Sequence, residues 1–505
     1  MSQTDVSAVL RSSDSAETVG IPSSAILALL RRMERRGLNA HSLLIARHGA
    51  IAFEAYWHPY SPETPHRLYS ASKSLVSLAI GTLVDDGRLS LEDRIIDHFP
   101  DKLPSGDLDP YLTAMRVVDL LTMRTAHGST TFKQVADTDW VRTFFTVPPN
   151  RQPGMVFSYD TSGSVVLTAL VERLSGKPLT EYLTDRVLTR IGVQDPWFSL
   201  VSPTGMDLAE RGGQPTWREV ESNPEGTSHG GSGVFCTPRD LLRVAQLCLA
   251  QGRWGSDQVI SAEFLRAATD YQVSTALTSP AFPDGRCGYG YQFWRNRGGG
   301  YSMRGMGGQI ALCLPEEDVV IVTTGDNQGV GGADQAFFDA VAEELVPALG
   351  APRAVDPDSA AELARYARSL ALAPVPVTGS RAGGRFRAEY ELDPGPTAFV
   401  GLELDVSPDF GVLRLHTADG QQREFRFGLG SLVRHGLPGY GYETHSSGAW
   451  LDENTLHVHS HVLGRYLAQI DLMVTAGGEA VTLVMNRAAE AFAEEYEGTV
   501  SGRRR

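Results

Sequence analysis

The chain is 505 residues long, beyond the size at which one hydrophobic core stops growing, so we expect two folded units. Its composition, 42% hydrophobic and 21% charged, is that of a globular protein, and a formal net charge of -15 excludes the basic surface that binds nucleic acid. No apolar run is long enough to span a membrane, so we expect neither nucleic acid nor a membrane as a partner.

Residues 1–20 are rich in Ser, Asp and Thr and have neither the basic start nor the apolar stretch of a secretion signal. They predict a disordered lead-in. The four cysteines form no CxxC pair, so they indicate free thiols in a reducing compartment rather than disulfides or a zinc site. We therefore expect a cytoplasmic protein.

Residues 21–350 alternate between helical and strand patterns. Apolar residues at helical spacing mark residues 23–36, 72–87 and 333–346. Strand-like apolar runs, in two pairs each joined by a short turn, mark residues 42–47, 50–57, 311–315 and 319–324. A hairpin at each end with helices between predicts an α+β domain, in which one antiparallel sheet built from both ends packs against helices.

Residues 351–384 form a predicted linker, because proline recurs there on both sides of a short Ala-rich helix between residues 359 and 372. From residue 385 the pattern changes to period-two alternation, which is typical of strands. Seven such runs, separated by turns, cover 386–392, 398–406, 411–417, 423–428, 455–462, 466–474 and 480–485. They predict a small antiparallel barrel or sandwich over residues 385–505.

Ser70 and Lys73 lie at the start of the helix predicted for residues 72–87. A spacing of three places their side chains one above the other on one helix face. Free N–H groups at the helix N-terminus can stabilise an oxyanion at Ser70, and a buried lysine can take the serine proton. A serine-capped helix with a solvated lysine is the alternative, but the apolar neighbours of Lys73 favour the catalytic interpretation.

Six blocks of residues 21–350 are similar, in order, to the class C β-lactamase-related family, which also holds carboxylesterases, D-aminopeptidases, transesterases and 6-aminohexanoate-oligomer hydrolases. The blocks are Ser-Ala-Ser-Lys-Ser at 70–74, Val-Val-Asp-Leu-Leu-Thr-Met at 117–123, Phe-Ser-Tyr at 157–159, Gly-Gly-Ser-Gly at 230–233, Tyr-Gly-Tyr-Gln-Phe-Trp at 289–294 and Gly-Met-Gly-Gly-Gln at 305–309. Because they recur in the family's order, the resemblance covers nearly the whole predicted domain.

This resemblance implies a β-lactamase/transpeptidase-like sheet flanked by helices, with a helical subdomain. It also implies that Ser70 is acylated, that Lys73 accepts the serine proton, and that Tyr159 relays a proton to the leaving group. We expect no cofactor and no metal in the reaction, and a small-molecule or short peptide-like substrate.

The resemblance implies that the backbone N–H groups of Ser70 and Met306 form the oxyanion hole, with Gly305 and Gly307 on either side of Met306. The family often has an asparagine two residues after its catalytic tyrosine. At that position this chain has Thr161.

The second departure lies on the last part of the predicted sheet, where the family commonly has Lys or His and this chain has Met303. A methionine cannot hold a substrate carboxylate. This counts against β-lactamase and D,D-peptidase activity and leaves amide or ester hydrolysis open. Arg304 is the nearest positive charge, but adjacent strand residues point to opposite faces.

Three functions stay open: a Ser-Lys-Tyr hydrolase, an acyltransferase with the same acyl-enzyme, and a catalytically silent binding protein. The C-terminal domain resembles lipocalin-like modules of the same family and leaves association into homo-oligomers open. His229, Trp294 and Tyr291 are weaker candidates, which can line a pocket or fill turn and core positions. His457, His459 and His461 alternate on one strand face, with His435 and His445 upstream. Because no nearby carboxylate or cysteine pattern supports a metal, a half-exposed strand is favoured over a metal site.

Overall fold

We describe a computed structural model over residues 10–193, 202–203, 219–220, 227–277, 282–381, 384–464, 466–490 and 493–505. The chain forms two compact units, Met1–Ala371 and Leu372–Arg505. In the described residues, no helix is both long and apolar enough to cross a bilayer.

The first unit is built around a seven-stranded sheet. Its strands are β1 (Arg11–Ser12), β2 (Ala40–Arg47), β3 (Ala50–Tyr56), β4 (Trp294–Arg295), β5 (Tyr301–Gly305), β6 (Gln309–Leu314) and β7 (Val319–Gly325). They lie in the order β1-β3-β2-β7-β6-β5-β4, and all pairs except β1–β3 are antiparallel. Ile321 of β7 lies opposite Ile45 of β2, so the two ends of the domain share one sheet as the sequence predicted.

Twelve helices are described in this unit. They are α1 (Ser23–Arg35), α2 (Ser72–Asp85), α3 (Ile95–His98), α4 (Pro110–Thr113), α5 (Val117–Leu121), α6 (Trp140–Thr146), α7 (Thr161–Ser175), α8 (Leu179–Leu183), α9 (Pro238–Leu249), α10 (Ala262–Thr269), α11 (Ala333–Ala340) and α12 (Pro357–Arg368). Short two-stranded pairs join His66–Arg67 to Phe235–Cys236, Ser202–Pro203 to Glu219–Val220, and Arg253–Trp254 to Asp257–Gln258.

Alternation along the central strands creates two separate cores. Ile321 packs in the core that contains α1, α11 and α12, whereas the next residue, Val322, packs in the core that contains α2, α5, α7 and α9. Successive strand side chains point to opposite faces, so the sheet is covered by helices on both sides.

The start of the chain differs from the predicted disordered lead-in over residues 10–20. Arg11 and Ser12 pair with β3, and the Glu17 carboxylate, 2% exposed, accepts a hydrogen bond from the backbone N–H of Ser23 at 2.9 Å. Polar composition predicted disorder, but Glu17 is used to satisfy the free donors at the start of α1.

The predicted linker contains α12, which carries the buried side chain of Leu363 into a core of the first unit. Helix α12 also contacts α1 through an ion pair between Arg31 and Glu362 at 2.6 Å. The first compact unit therefore extends to residue 371 rather than ending near 350.

The second unit is a closed barrel. Its strands are β8 (Phe386–Leu392), β9 (Phe399–Val406), β10 (Phe410–Thr417), β11 (Gln422–Leu429), β12 (Val433–Gly436), β13 (Glu443–Trp450), β14 (Thr455–Leu463), β15 (Ala468–Gly477), β16 (Ala480–Ala489) and β17 (Gly498–Arg504). Nine of them form the ring, which closes where β11 pairs with β13 in parallel, and β12 adds to the edge of β13.

The sequence pattern did not predict three of the barrel strands, β12, β13 and β17. In β13, Thr444 to Ala449 are all buried, so its residues show no alternation between a polar and an apolar face. The other seven were predicted within a few residues of their ends.

Candidate active site

Ser70 lies in a 3-10 turn, Tyr69–Ala71, that leads directly into α2. Tyr69 adopts a positive φ of 45°, which is uncommon for a residue with a side chain. Its ring is 1% exposed and lies 4.6 Å beneath the guanidinium of Arg67. Packing therefore holds a strained backbone immediately before the candidate nucleophile.

Lys73 is 1% exposed, and its Nζ lies 3.1 Å from Ser70 Oγ. The spacing of three residues produces this contact, since both side chains share a face of the helix. Lys73 Nζ also donates to the carbonyl oxygen of Gly231 at 2.5 Å. The amine is thus oriented by two oxygens and shielded from bulk water.

The loop that supplies the Gly231 carbonyl is locked in place. Arg67, itself 1% exposed, donates to the carbonyl and hydroxyl oxygens of Ser232, both at 3.0 Å. A Cβ added at Gly231 would lie 2.6 Å from the methyl group of Thr161. Only glycine leaves room for Thr161 beside the loop, and this contact places Thr161 at the edge of the site.

Tyr159 completes the group predicted from the sequence. Its ring centroid lies 5.0 Å from Lys73 Nζ, and its phenol interacts with the side chain of Ser70. Burial raises the pKa of Tyr159 to about 12, against the lowering effect of the Ser70 hydrogen bond. The phenol therefore remains protonated at neutral pH.

The segment before Tyr159 is held by backbone contacts. Ser158 N–H donates to the carbonyl of Met123 at 2.8 Å, and its hydroxyl donates to the carbonyl of Gly128 at 2.9 Å. The ring of Tyr159 stacks on Trp294, with centroids 5.8 Å apart and planes 21° apart. Trp294 therefore contacts a candidate catalytic side chain and lines the site.

Asp160 joins this segment to α7. It caps the helix by accepting from Ser162 N–H at 2.9 Å and also accepts from the Thr125 hydroxyl at 3.0 Å. Burial raises the pKa of Asp160 to about 6, although these hydrogen bonds lower it.

Gln292 connects the helix of Ser70 to the helix that follows Tyr159. Its backbone carbonyl accepts from the Ser74 hydroxyl of α2 at 2.6 Å, and its side-chain oxygen accepts from Ser164 of α7 at 2.8 Å. Its amide nitrogen donates to the carbonyls of Leu120 and Leu121 at 3.0 and 2.9 Å. The side chain thus connects α5 to α7, and the backbone carbonyl of the same buried residue connects them to α2.

The β5–β6 turn packs against the Ser70 turn. A Cβ at Gly305 would lie 1.9 Å from the carbonyl oxygen of Leu68, so no other residue fits there. Met306 follows with 38% of its surface exposed, and Gly307 turns the chain with a φ of 80°. The predicted oxyanion residues therefore lie on a segment that touches the nucleophile turn.

Met303 and Arg304 point in different directions. Met303 is 1% exposed and belongs to the core that contains Leu68 and Ala71. The Arg304 guanidinium lies 5.3 Å from the centroid of Trp294, and burial lowers its pKa to about 10. Arg304 therefore lies against Trp294, the ring that stacks on Tyr159.

His229 is 5% exposed, and its Nδ1 is buried without a hydrogen-bond partner in the described residues. Its ring packs edge-on against Trp140, with centroids 5.3 Å apart. Burial, together with the charge of Arg67, lowers the pKa of His229 far below its ordinary value. His229 is therefore a neutral residue beside the loop whose Gly231 carbonyl binds Lys73. Tyr291, by contrast, is a core residue.

The sequence analysis did not find two residues that support the site. They are Arg67, which holds the Gly231 loop, and Gln292, which connects the helices. An arginine next to a predicted helix usually faces solvent, so composition gives no signal that Arg67 is buried. Gln292 lies inside a family-like block, yet its role depends on backbone carbonyls, which every residue carries.

Comparison with known proteins places the first unit in a family. The Beta-lactamase family model matches residues 28–344. The chain is 25% identical over 316 residues to the 6-aminohexanoate-dimer hydrolase of Paenarthrobacter ureafaciens, covering 58% of this chain and 74% of that protein. It is 27% identical over 276 residues to the esterase EstB of Burkholderia gladioli, covering 48% of this chain and 69% of that protein.

A solved penicillin-binding protein homologue from Caulobacter crescentus shares the fold, with a TM-score of 0.50 and 17% identity. The alignment covers 65% of this chain and 99% of that one. The predicted β-lactamase/transpeptidase-like fold is thus confirmed for the first unit.

Proposed function

The chain belongs to the beta-lactamase family, and from that premise we propose that it is a serine hydrolase that cleaves an amide or ester bond through an acyl-enzyme on Ser70. The observation that carries the proposal is the position of Lys73. Its Nζ lies 3.1 Å from Ser70 Oγ although the side chain is 1% exposed. A buried amine at hydrogen-bond distance from a serine hydroxyl is a base arranged to activate it.

In the acylation step, Ser70 Oγ attacks the substrate carbonyl carbon as its proton passes to the neutral amine of Lys73. The carbonyl oxygen becomes an oxyanion, for which the N–H groups of Ser70 and Met306 are the proposed donors. The bond to the leaving group then breaks as its nitrogen or oxygen takes a proton from Tyr159, which regains one from the Lys73 ammonium. Water attacks the resulting ester and gives a proton to Lys73, and release of the acid returns that proton to Ser70 Oγ.

Tyr159 is assigned the proton transfer to the leaving group. Its pKa of about 12 keeps the hydroxyl protonated at neutral pH, so it acts as an acid, while Lys73 acts as the base. The interaction of the phenol with the side chain of Ser70, and the position of the ring 5.0 Å from Lys73 Nζ, support this assignment. Tyr159 and Lys73 thus take the two different roles, acid and base.

The named relatives, a 6-aminohexanoate-dimer hydrolase and an esterase, support the choice of amide and ester bonds. The site also offers little to hold an anionic substrate, since Met303 is buried and the Arg304 guanidinium already donates to Ser302 and to the Asp284 and Arg295 carbonyls. We therefore infer an uncharged or weakly charged substrate around the scissile bond.

Intact-mass spectrometry of the full chain after exposure to a fluorophosphonate tests the proposal. The wild type is expected to gain one phosphonyl group with loss of fluoride, and Ser70→Ala to gain none. Ser105→Ala is the matched control, because Ser105 is exposed on a loop of the same unit. A wild type that stays unlabelled, or a Ser70→Ala variant that is labelled equally, would contradict the acyl-enzyme.

Turnover is tested with a panel of small esters and amides, with and without an added amine acceptor. Release of free acid as the main product supports hydrolysis. Predominant transfer to the amine would instead assign the same acyl-enzyme to acyl transfer.

A further inference from the structure

Two histidines and an aspartate form a cluster on the outside of the barrel. His457 and His459 alternate along β14, whose intervening residues Leu456 and Val458 are fully buried, so the imidazoles point outward. Asp471 of β15 lies directly opposite His459. Asp471 belongs to the following strand, and strand pairing brings it to the histidines.

The three side chains converge on one point. Asp471 Oδ1 lies 2.7 Å from His457 Nε2 and 2.8 Å from His459 Nδ1. All three ligand atoms lie within 4.8 Å of one another. Ligand atoms at about 2.1 Å from one tetrahedral ion are about 3.4 Å apart. The two contacts of Asp471 must therefore lengthen by roughly 0.7 Å, which small side-chain rotations supply.

Access and charge also suit a cation. The side chains of His457, His459 and Asp471 are 28%, 15% and 35% exposed, so the cluster is sheltered but open to solvent. The residues paired beside them on neighbouring strands are Ser447, Ala449, Met473 and Asn486, none of which is positively charged.

His461 supports the cluster from the same strand. Its ring meets that of His459 edge-on, with centroids 4.5 Å apart, and its Nε2 lies 3.4 Å from the carbonyl oxygen of Ala373. This packing limits the rotation of His459, and ligands held in place bind a metal more tightly than free ones.

We propose that His457, His459 and Asp471 bind one zinc ion on the outer face of the barrel, with water completing the tetrahedron. Two imidazoles and one carboxylate suit zinc, whereas magnesium and calcium require mostly oxygen ligands. Because the site exists only when β14 and β15 are paired, zinc stabilises the folded barrel. This inference is independent of the reaction at Ser70.

Zinc binding to the full chain, measured by calorimetry and by competition with a chromophoric chelator, tests the site. We expect one equivalent to bind the wild type and the affinity to fall at least about tenfold in His459→Gln and in Asp471→Asn. His416→Gln is the matched control, because His416 of the same barrel pairs with the single carboxylate of Glu403 at 2.9 Å.

Stoichiometric zinc that binds the two variants as tightly as the wild type would overturn the assignment, as would no stoichiometric binding by the wild type. A rise in unfolding temperature that magnesium produces as well as zinc would overturn it too. Should a variant fail to fold, cobalt titration of the wild type decides. Intense visible bands of tetrahedral cobalt, abolished by zinc, support the site, and their absence contradicts it.

Discussion

The carbonyl oxygen of Gly231 lies 2.5 Å from Lys73 Nζ, so the amine that contacts Ser70 is also tied to a distant part of the chain. Two directed hydrogen bonds leave the lysine little rotational freedom, and its burial keeps water from competing. The loop around Gly231 is in turn held by the buried Arg67. The position of the candidate base is therefore set by packing far from it in sequence.

Lys73→Met removes the amine and leaves an unbranched side chain of similar length. We expect it to slow acylation of Ser70 by about 10²–10⁴-fold, the usual contribution of a general base. The rate of fluorophosphonate labelling, followed by intact mass, measures the effect. Lys177→Met is the control, because Lys177 is 42% exposed and pairs only with surface carboxylates in the described residues. Equal labelling rates for both variants would remove Lys73 from the mechanism.

Gly305→Ala is expected to slow acylation at least about 10²-fold, because its Cβ would overlap the carbonyl oxygen of Leu68 at 1.9 Å. The β5–β6 turn and the Ser70 turn must then move apart, which displaces the N–H of Met306. Gly331→Ala, whose Cβ would meet no atom within 4 Å, provides the control. Labelling kinetics of the two variants check this. A Gly305→Ala protein that folds and is labelled at the wild-type rate would contradict the proposed oxyanion hole.

The sequence predicted those elements and contacts that depend on a local pattern of residues. Ser70 and Lys73 were found because helical spacing alone makes them neighbours, and the pairing of β2 with β7 followed from a hairpin at each end of the domain. The Gly231 carbonyl could not be found this way, because backbone oxygens carry no residue signature. The zinc cluster was rejected for want of a carboxylate, since Asp471 meets the histidines only through strand register.

The environment of Met303 could not be predicted either. The sequence indicated that the family's positive charge is missing at this position, but not that the side chain is buried in the core that also contains Leu68 and Ala71. Burial depends on how the strand packs on the nucleophile turn, which no local pattern encodes.

Gln292→Ala is expected to lower the free energy of unfolding of the first unit by about 2–4 kcal/mol, because it leaves the Ser164 hydroxyl and two buried carbonyls without this partner. Chemical denaturation measures the loss. Gln134→Ala is the control, since the Gln134 amide makes its hydrogen bonds at the surface. A loss no larger than that of the control would show that Gln292 does not hold the helices together.

Asp160→Asn is expected to stabilise the protein at pH 7 and to have little effect near pH 4. Burial raises the pKa of Asp160 to about 6, from an ordinary value of 3.8. Between these values the folded protein holds the proton more tightly than the unfolded chain, so the contribution of Asp160 to stability falls as the pH rises through this window. Above it, ionised Asp160 costs up to about 3 kcal/mol, a cost that asparagine avoids while it still caps α7.

The difference in unfolding free energy between wild type and Asp160→Asn, measured by denaturation at pH 4 and at pH 7, checks this. It should grow with pH, because only the wild type carries the buried carboxyl whose ionisation becomes costly. Other titrating groups cancel, since they are common to both proteins in each comparison. A difference for Asp160→Asn that stays constant or shrinks towards pH 7 would contradict this prediction. It would mean that the ionised carboxylate is stabilised where it caps α7, so that its negative charge helps to hold the Tyr159 segment in place.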